Sequence, residues 1–316
     1  MSTHEQERAL MARAAWLYYH RGLTQQDIGE RLGLSRVKVV RLLARAREEG
    51  IVQIRVDHPS LRFVELEEEL RRTFGLKEAI VVPSGETEEQ TREAIGRFGA
   101  IYLERALAPG DVIGTAWGVT LREVARHLRP LSLKDVTVVQ LMGGLNAGGL
   151  INPLDIARAV ADKLQGNLQM LYTPAFVDSA RIRAALLSDH RVAQTLRAGA
   201  SATKALVGIG DVSRESSLVR WGALTPAELD EAVHLGAVGD ILGRHFDAHG
   251  RPIESPLAER VIGLTLESLR SIPQVIAFAG GGRKAAAILG ALRARYVHVL
   301  ITDEATARLV LAGQRA

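Results

Sequence analysis

From Ala79 onward, short strand-like stretches alternate with stretches of helical periodicity, and no other feature limits the possible folds as much. Strands are expected at Ala79–Val82, Asp111–Ala116, Val136–Leu141, Leu168–Tyr172, Ala205–Ile209, Val261–Leu264, Val275–Ala279 and Val297–Ile301. Helices are expected at Thr87–Leu107, Leu121–Leu128, Leu154–Gln165, Ser179–Leu187, Val192–Gly199, Pro226–Leu235, Arg283–Arg295 and Glu304–Ala312. Such alternation predicts an open α/β fold, a mostly parallel sheet covered on both faces. Ligands of such sheets sit outside the carboxyl ends of the strands.

The 316 residues are 47% apolar and 24% charged, enough for a sizeable core and unlike a disordered chain. Cysteine is missing from the sequence, which removes disulfides, thiolate metal sites and thiol nucleophiles and fits a reducing compartment. Val136–Leu154 carries no charge, but Gln140, Asn146, Asn152, Pro153 and its glycines make it strand, turn and helix start rather than a membrane span. Met1–Leu10 has two acids and no apolar run, so no secretion signal is read there and a cytoplasmic protein is expected.

The first 57 residues read differently. They hold ten Lys/Arg against seven Asp/Glu, and Arg31–Arg47 contains six cations and no acid. Ala9–His20 has Leu10, Ala14, Leu17 and Tyr18 on one helical face. Thr24 and Asp27 form a capping signal for a second helix carrying Ile28 and Leu32. Gly33 and Leu34 supply a turn, Ser35 caps a third, basic helix, Gly50 ends it, and Ile51–Val56 is a β-like exit.

Two short helices joined by a tight turn, the second basic, make a helix-turn-helix. Val39, Leu42 and Leu43 are expected to pack on Ile28 and Leu32, leaving Ser35, Arg36, Val37, Lys38, Val40 and Arg41 outward. With Thr24 and Gln25 at the preceding helix start, these are the candidate DNA contacts. Arg36 or Arg41 suits guanine, and Ser35 and Lys38 suit phosphate. The basic helix holds no aromatic residue, which argues against recognition by base stacking.

In the α/β part, three strands run into glycine turns: Asp111–Leu121 (DVIGTAWGVTL), Val138–Gly144 (VVQLMGG) and Val275–Lys284 (VIAFAGGGRK). Glycine permits close backbone approach, and a helix start presents free N–H groups to an anion. Thr120 adds a hydroxyl at one helix start, and Lys284 adds a cation at another. A phosphorylated small molecule fits; a dinucleotide fingerprint or P-loop does not. Asp240 and Gln140 are candidate hydroxyl partners, and Gly208–Asp211 (GIGD) reads as a further strand-end turn with Asp211 as an additional candidate. The histidines show no ligand-like spacing, so neither metal nor cofactor is assigned.

With these residues in view, the chain resembles the SorC/DeoR-type bacterial transcriptional regulators over almost its full length. The landmarks are Leu34–Leu43 (LSRVKVVRLL) followed by Gly50–Val52, Gly114–Thr120 (GTAWGVT), Gly236–Asp240 (GAVGD), and Gly280–Lys284 (GGGRK) with Ala287–Leu292 (AILGAL). The resemblance implies a helix-turn-helix domain over 1–57 and an effector domain over 58–316, similar to phosphosugar isomerase and deaminase folds. It also implies a phosphosugar effector, double-stranded operator DNA as partner and assembly into dimers or tetramers. Carried over by motif, phosphate would sit on Gly118, Val119 and Thr120 with Lys284. Gln140 and Asp240 would face the sugar, and Gly143 and Gly281 would line its turns. At Val119 some relatives have a second threonine. The alternatives are a sugar-phosphate isomerase or deaminase with an appended DNA-binding domain, and an interaction protein blind to metabolites.

Overall fold

The computed structural model describes residues 3–52, 61–145 and 152–315, which form two compact units, Met1–Leu61 and Arg62–Ala316. In the first unit, α1 (Thr3–Ala15) runs into a π-helical turn at Trp16–His20, followed by α2 (Gln25–Leu32) and α3 (Arg36–Glu48). Thr24 and Asp27 cap α2 reciprocally: the Asp27 N–H donates to Thr24 Oγ1 (3.3 Å), and the Thr24 N–H donates to Asp27 Oδ2 (3.1 Å). The chain reverses at Gly33 and Leu34, and Ser35 Oγ accepts from the Lys38 N–H (3.3 Å) to start α3. Ile28, Val39, Leu42, Leu43 and Ala46 close a small core with Met11, Ala14 and Leu17, and Leu32 is half-buried against it. Met11 is fully buried there although the sequence pattern did not single it out. Of the expected exit at Ile51–Val56, 51 and 52 form a bend and 53–56 lie outside the described residues.

The second unit begins with α4 (Leu61–Phe74), β1 (Glu78–Val82), α5 (Glu88–Ala106), β2 (Val112–Thr115), α6 (Val119–His127), β3 (Thr137–Gln140), α7 (Pro153–Leu164) and β4 (Asn167–Gln169). It continues through α8 (Ala180–Ser188), α9 (His190–Ala200), β5 (Lys204–Val207), β6 (Gly210–Asp211), α10 (Ser217–Arg220), α11 (Pro226–His234), β7 (Gly239–Ile241) and β8 (Arg244–Phe246). The last elements are α12 (Leu266–Arg270), β9 (Gln274–Phe278), α13 (Ala285–Arg293), β10 (Val299–Asp303) and α14 (Glu304–Arg315).

Seven strands form one parallel sheet in the order β1-β10-β9-β5-β2-β3-β4. Every residue of β10, and all but the first of β9, is buried, as expected of inner strands covered on both faces. The edge strand β4 is largely exposed. A second, antiparallel sheet of order β6-β7-β8 stands beyond the carboxyl end of β5. No helix among the described residues is long and apolar enough to cross a membrane.

Val261–Leu264, expected as a strand, is not one. Its residues are buried, but its backbone bonds run to separate segments: the Ile262 N–H to Ala175 O, the Leu264 N–H to Leu141 O, and Ile262 O from the Gly143 N–H. Arg183 and Arg244 hold its remaining carbonyls, so an apolar run that looks like a strand never joins a ladder. The β6, β7 and β8 strands were not anticipated, because two or three residues give no period to read.

Candidate functional site

At the carboxyl end of β2 the chain leaves the sheet through Ala116–Gly118 and enters α6. Gly118, with φ of 131°, makes that turn in a conformation side chains rarely adopt. No side chain caps the helix, so the first N–H groups of α6 stand at the wall of a cleft with their partial positive charge unmatched. Thr120 is buried at this wall.

The cleft, about 480 Å³ and open to solvent, is completed by Trp117, the β5 exit at Gly208–Asp211, Ser216–Leu218, Asp240 and Lys284. Because β5 lies between β2 and β9 in the sheet, their exits converge here. An outer cleft of about 870 Å³ shares Val119, Asp211, Ser217 and Lys284 with it and adds Arg92, Arg122, Arg220 and Arg283 against Glu88 and Glu215.

The inner cleft holds charges on buried and half-buried side chains. Burial pushes the Asp240 carboxyl up to about 6, against the Gly243 N–H, which donates to its Oδ2 (3.0 Å), and the Lys284 ammonium. The Asp211 carboxylate adds to the rise. Burial likewise pulls Lys284 down, while Asp211 and Asp240 favour its charged form. Asp211 is itself buried, and its Oδ1 accepts from the Ser213 N–H (2.9 Å). The buried Ser216 hydroxyl, also on the cleft wall, has no hydrogen-bond partner among the described residues. A cation, a bare helix start, two acceptor carboxylates and a free hydroxyl together suit a small polyol bearing an anionic group.

Of the sequence candidates, Gly118, Val119, Thr120, Asp240 and Lys284 line the inner cleft, and Gly281 lines the outer one. The Gly281 N–H does not face a ligand, however, because it donates to Asp303 Oδ1 (2.9 Å). Gln140 and Gly143 line neither cleft. The Gln140 side chain is engaged at both ends, donating to Met142 O (2.7 Å) and accepting from the Leu171 N–H (3.2 Å). Gly143 passes so close to Pro174 that a Cβ would lie 2.2 Å from its carbonyl oxygen, a packing reason for glycine. Ser216, Ser217 and Arg220 were missed. The only signal was a serine pair at the start of α10, a helix too short to show a period.

In the N-terminal unit Ser35, Arg36, Val37, Lys38, Val40 and Arg41 form one exposed face of α3. Val37 is 62% and Val40 43% exposed, while Val39 between them is fully buried. Thr24, Gln25 and Arg36 line a shallow depression between the starts of α2 and α3.

The arrangement is that of an α/β unit with a charged cleft at the carboxyl edge of its sheet, preceded by a basic helical unit. A family model described as "Putative sugar-binding domain" matches residues 58–312. The chain is 37% identical over 312 residues to the transcriptional regulator LsrR of Klebsiella pneumoniae, covering 97% of this chain and 94% of that protein. It is 34% identical over 308 residues to the erythritol catabolism regulatory protein EryD of Brucella abortus, covering 97% of each. The crystal structure of the full-length sorbitol operon regulator SorC from Klebsiella pneumoniae matches with a TM-score of 0.75 at 32% identity, over 96% of this chain and 98% of that one. The chain belongs to the SorC-type family of transcriptional regulators with a sugar-binding domain.

Proposed function

We propose that this chain is a DNA-binding regulator of carbohydrate metabolism whose grip on its operator is set by a phosphorylated sugar. The observation that carries the reading is the convergence of Lys284, the uncapped start of α6, Asp211 and Asp240 on one cleft at the carboxyl edge of the sheet. The helix start and Lys284 would hold phosphate, and the two carboxylates would accept from sugar hydroxyls.

The first unit would act as a helix-turn-helix, with α3 in the major groove. Arg36 and Arg41 would reach base edges, and Thr24, Gln25, Ser35 and Lys38 would hold the backbone. Val37 and Val40 would give apolar contact to thymine methyls. Self-association into dimers or tetramers would present two such helices to half-sites one helical turn apart. A coupling of about 1–3 kcal/mol between sugar and DNA suffices for regulation. Such a protein works in the cytoplasm.

The test is a mobility shift on the upstream promoter beside a thermal-shift panel of sugar phosphates. A ligand at about 100 times its dissociation constant should stabilise the fold by about 2.7 kcal/mol and alter the DNA shift. A panel without any response would refute the reading. One observation favours an isomerase or deaminase as a second reading: Asp211 and Asp240 line one cleft, and the latter's carboxyl sits near 6, where acid–base catalysts work. Turnover of pentose or amino-sugar phosphates by purified protein would establish it.

A further inference from the structure

We infer that Asp303 is a positioning residue for effector phosphate: it touches no ligand but sets where Lys284 stands. The inference rests on the effector reading above.

Asp303 ends β10, is 2% exposed and lines neither cleft. Its Oδ1 accepts from the Gly281 N–H (2.9 Å) and the Thr306 hydroxyl (2.5 Å). Its Oδ2 accepts from the Ser84 hydroxyl (2.8 Å) and the Thr306 N–H (3.2 Å). Ser84 Oγ in turn accepts from the Ala305 N–H (2.9 Å). One carboxylate thus joins the exit of β1, the glycine turn after β9 and the start of α14.

Capping α14 would need only the Thr306 N–H, which serine or asparagine could satisfy. The bond to Gly281 reaches beyond that, into the turn leading to the cleft. Gly281 O accepts from the Lys284 N–H (2.9 Å), so the connection runs from Asp303 through one glycine to the backbone of the lysine. The turn is also wedged from behind, since a Cβ at Gly280 would lie 2.4 Å from both Asp303 Oδ1 and Ile95 Cδ1. Although burial acts against it, these donors hold the Asp303 carboxyl below the usual carboxylate range, so it is charged whenever the cleft is in use. A lysine on a glycine-rich turn has many places to be, and this clamp selects one.

The experiment uses the full chain, with inorganic phosphate and a hexose monophosphate as probes in titration calorimetry. Asp303→Asn sets an amide N–H against one of the donors and should weaken both probes by about tenfold or more. Operator affinity without ligand should change less than about twofold, because α3 is untouched. Ser84→Ala removes the links to Asp303 and Ala305 but spares the Gly281 bond, and should cost less than about threefold. A purely structural role would lower the melting temperature of both variants and leave phosphate affinity alone.

Wild-type affinity in a folded Asp303→Asn protein overturns the inference, as does an equal loss in Ser84→Ala. Should Asp303→Asn not fold, Thr306→Val replaces it. That change removes a donor from the same Oδ1 and frees the carboxylate to swing from Gly281, so unchanged phosphate affinity there is equally fatal. If wild-type protein binds neither probe, the effector reading fails and takes this inference with it.

Discussion

Asp240 stands opposite Gly210 in the β6–β7 ladder, and its Oδ1 lies 1.9 Å from where a side chain at 210 would begin. The carboxylate that faces the cleft therefore depends on its neighbour having no side chain. Gly210→Ala should expel Asp240 from its place, costing about 1–3 kcal/mol of stability. Sugar-phosphate affinity should fall further than affinity for inorganic phosphate, which needs no hydroxyl partner. Calorimetry with both probes checks this.

Asp240 also gives the fold a pH signature. Its carboxyl titrates near 6 when folded and near 3.8 when exposed, so between these values the folded state binds more protons. Its ionisation therefore erodes stability as pH rises from about 4 to 6, with no further loss above. Asp240→Asn should gain stability relative to wild type across that window and hold the gain at pH 8, as denaturant melts at several pH values would show. Sugar-phosphate binding should weaken in the same variant.

Lys284→Gln removes the one lysine in the inner cleft. We expect phosphate and sugar-phosphate affinity to fall by about 10–100-fold, the scale of a charge-assisted contact in a partly desolvated site. Operator binding should persist and become insensitive to the sugar phosphate, a phenotype read directly in a mobility shift.

At the opposite end of the strands, Lys204 Nζ donates to both oxygens of Asp111 (2.6 and 2.7 Å), and the Thr203 hydroxyl donates to Oδ1 (2.7 Å). Burial alone would raise the Asp111 carboxyl, but these donors hold it below its ordinary value. Its stabilising effect is thus present above the ordinary carboxylate range and lost as pH falls through the folded value. Lys204→Met should destabilise by about 3 kcal/mol at neutral pH, less in acid. Ligand affinity should be unchanged, because neither residue lines a cleft.

For the proposed DNA-binding face, Arg36→Ala with Arg41→Ala should lower specific operator affinity by about 100-fold or more. Lys38→Ala should weaken all sequences alike and reduce the salt slope by about one. Filter binding across a salt series separates the two. Retained specificity in the double variant would refute the assignment of α3.

How much of this was legible in the sequence depended on how local each signal is. Thr24 with Asp27 and Ser35 with Lys38 are contacts three residues apart, and they cap α2 and α3 as read. Alternating β and α stretches marked all seven strands of the parallel sheet, six of them within two residues at each end, because buried parallel strands are apolar runs; the exposed edge strand β4 ends three residues before the expected Tyr172. Lys284 and Thr120 were found as a cation and a hydroxyl at helix starts. What failed was non-local. Gln140 looked available until its amide was seen tied to Met142 and Leu171, 31 positions away in the latter case. Val261–Leu264 had a strand's composition, but its backbone is shared between two distant segments, around Leu141–Gly143 and Ala175, and two arginine side chains. Asp211 was a candidate in the sequence, but nothing in its neighbours says that the chain returns with Asp240 beside it.

The earliest strand of the parallel sheet, Glu78–Val82, is hydrogen-bonded to the last, Val299–Asp303. On a translating ribosome, the small helical unit can close its own core long before that partner is made, since all its core residues lie within the first 52. The edge pairing waits until nearly the whole polypeptide has emerged, and so does the carboxylate that ends it. On the function proposed above, a nascent copy can settle on DNA before it is able to hear the metabolite that would govern it.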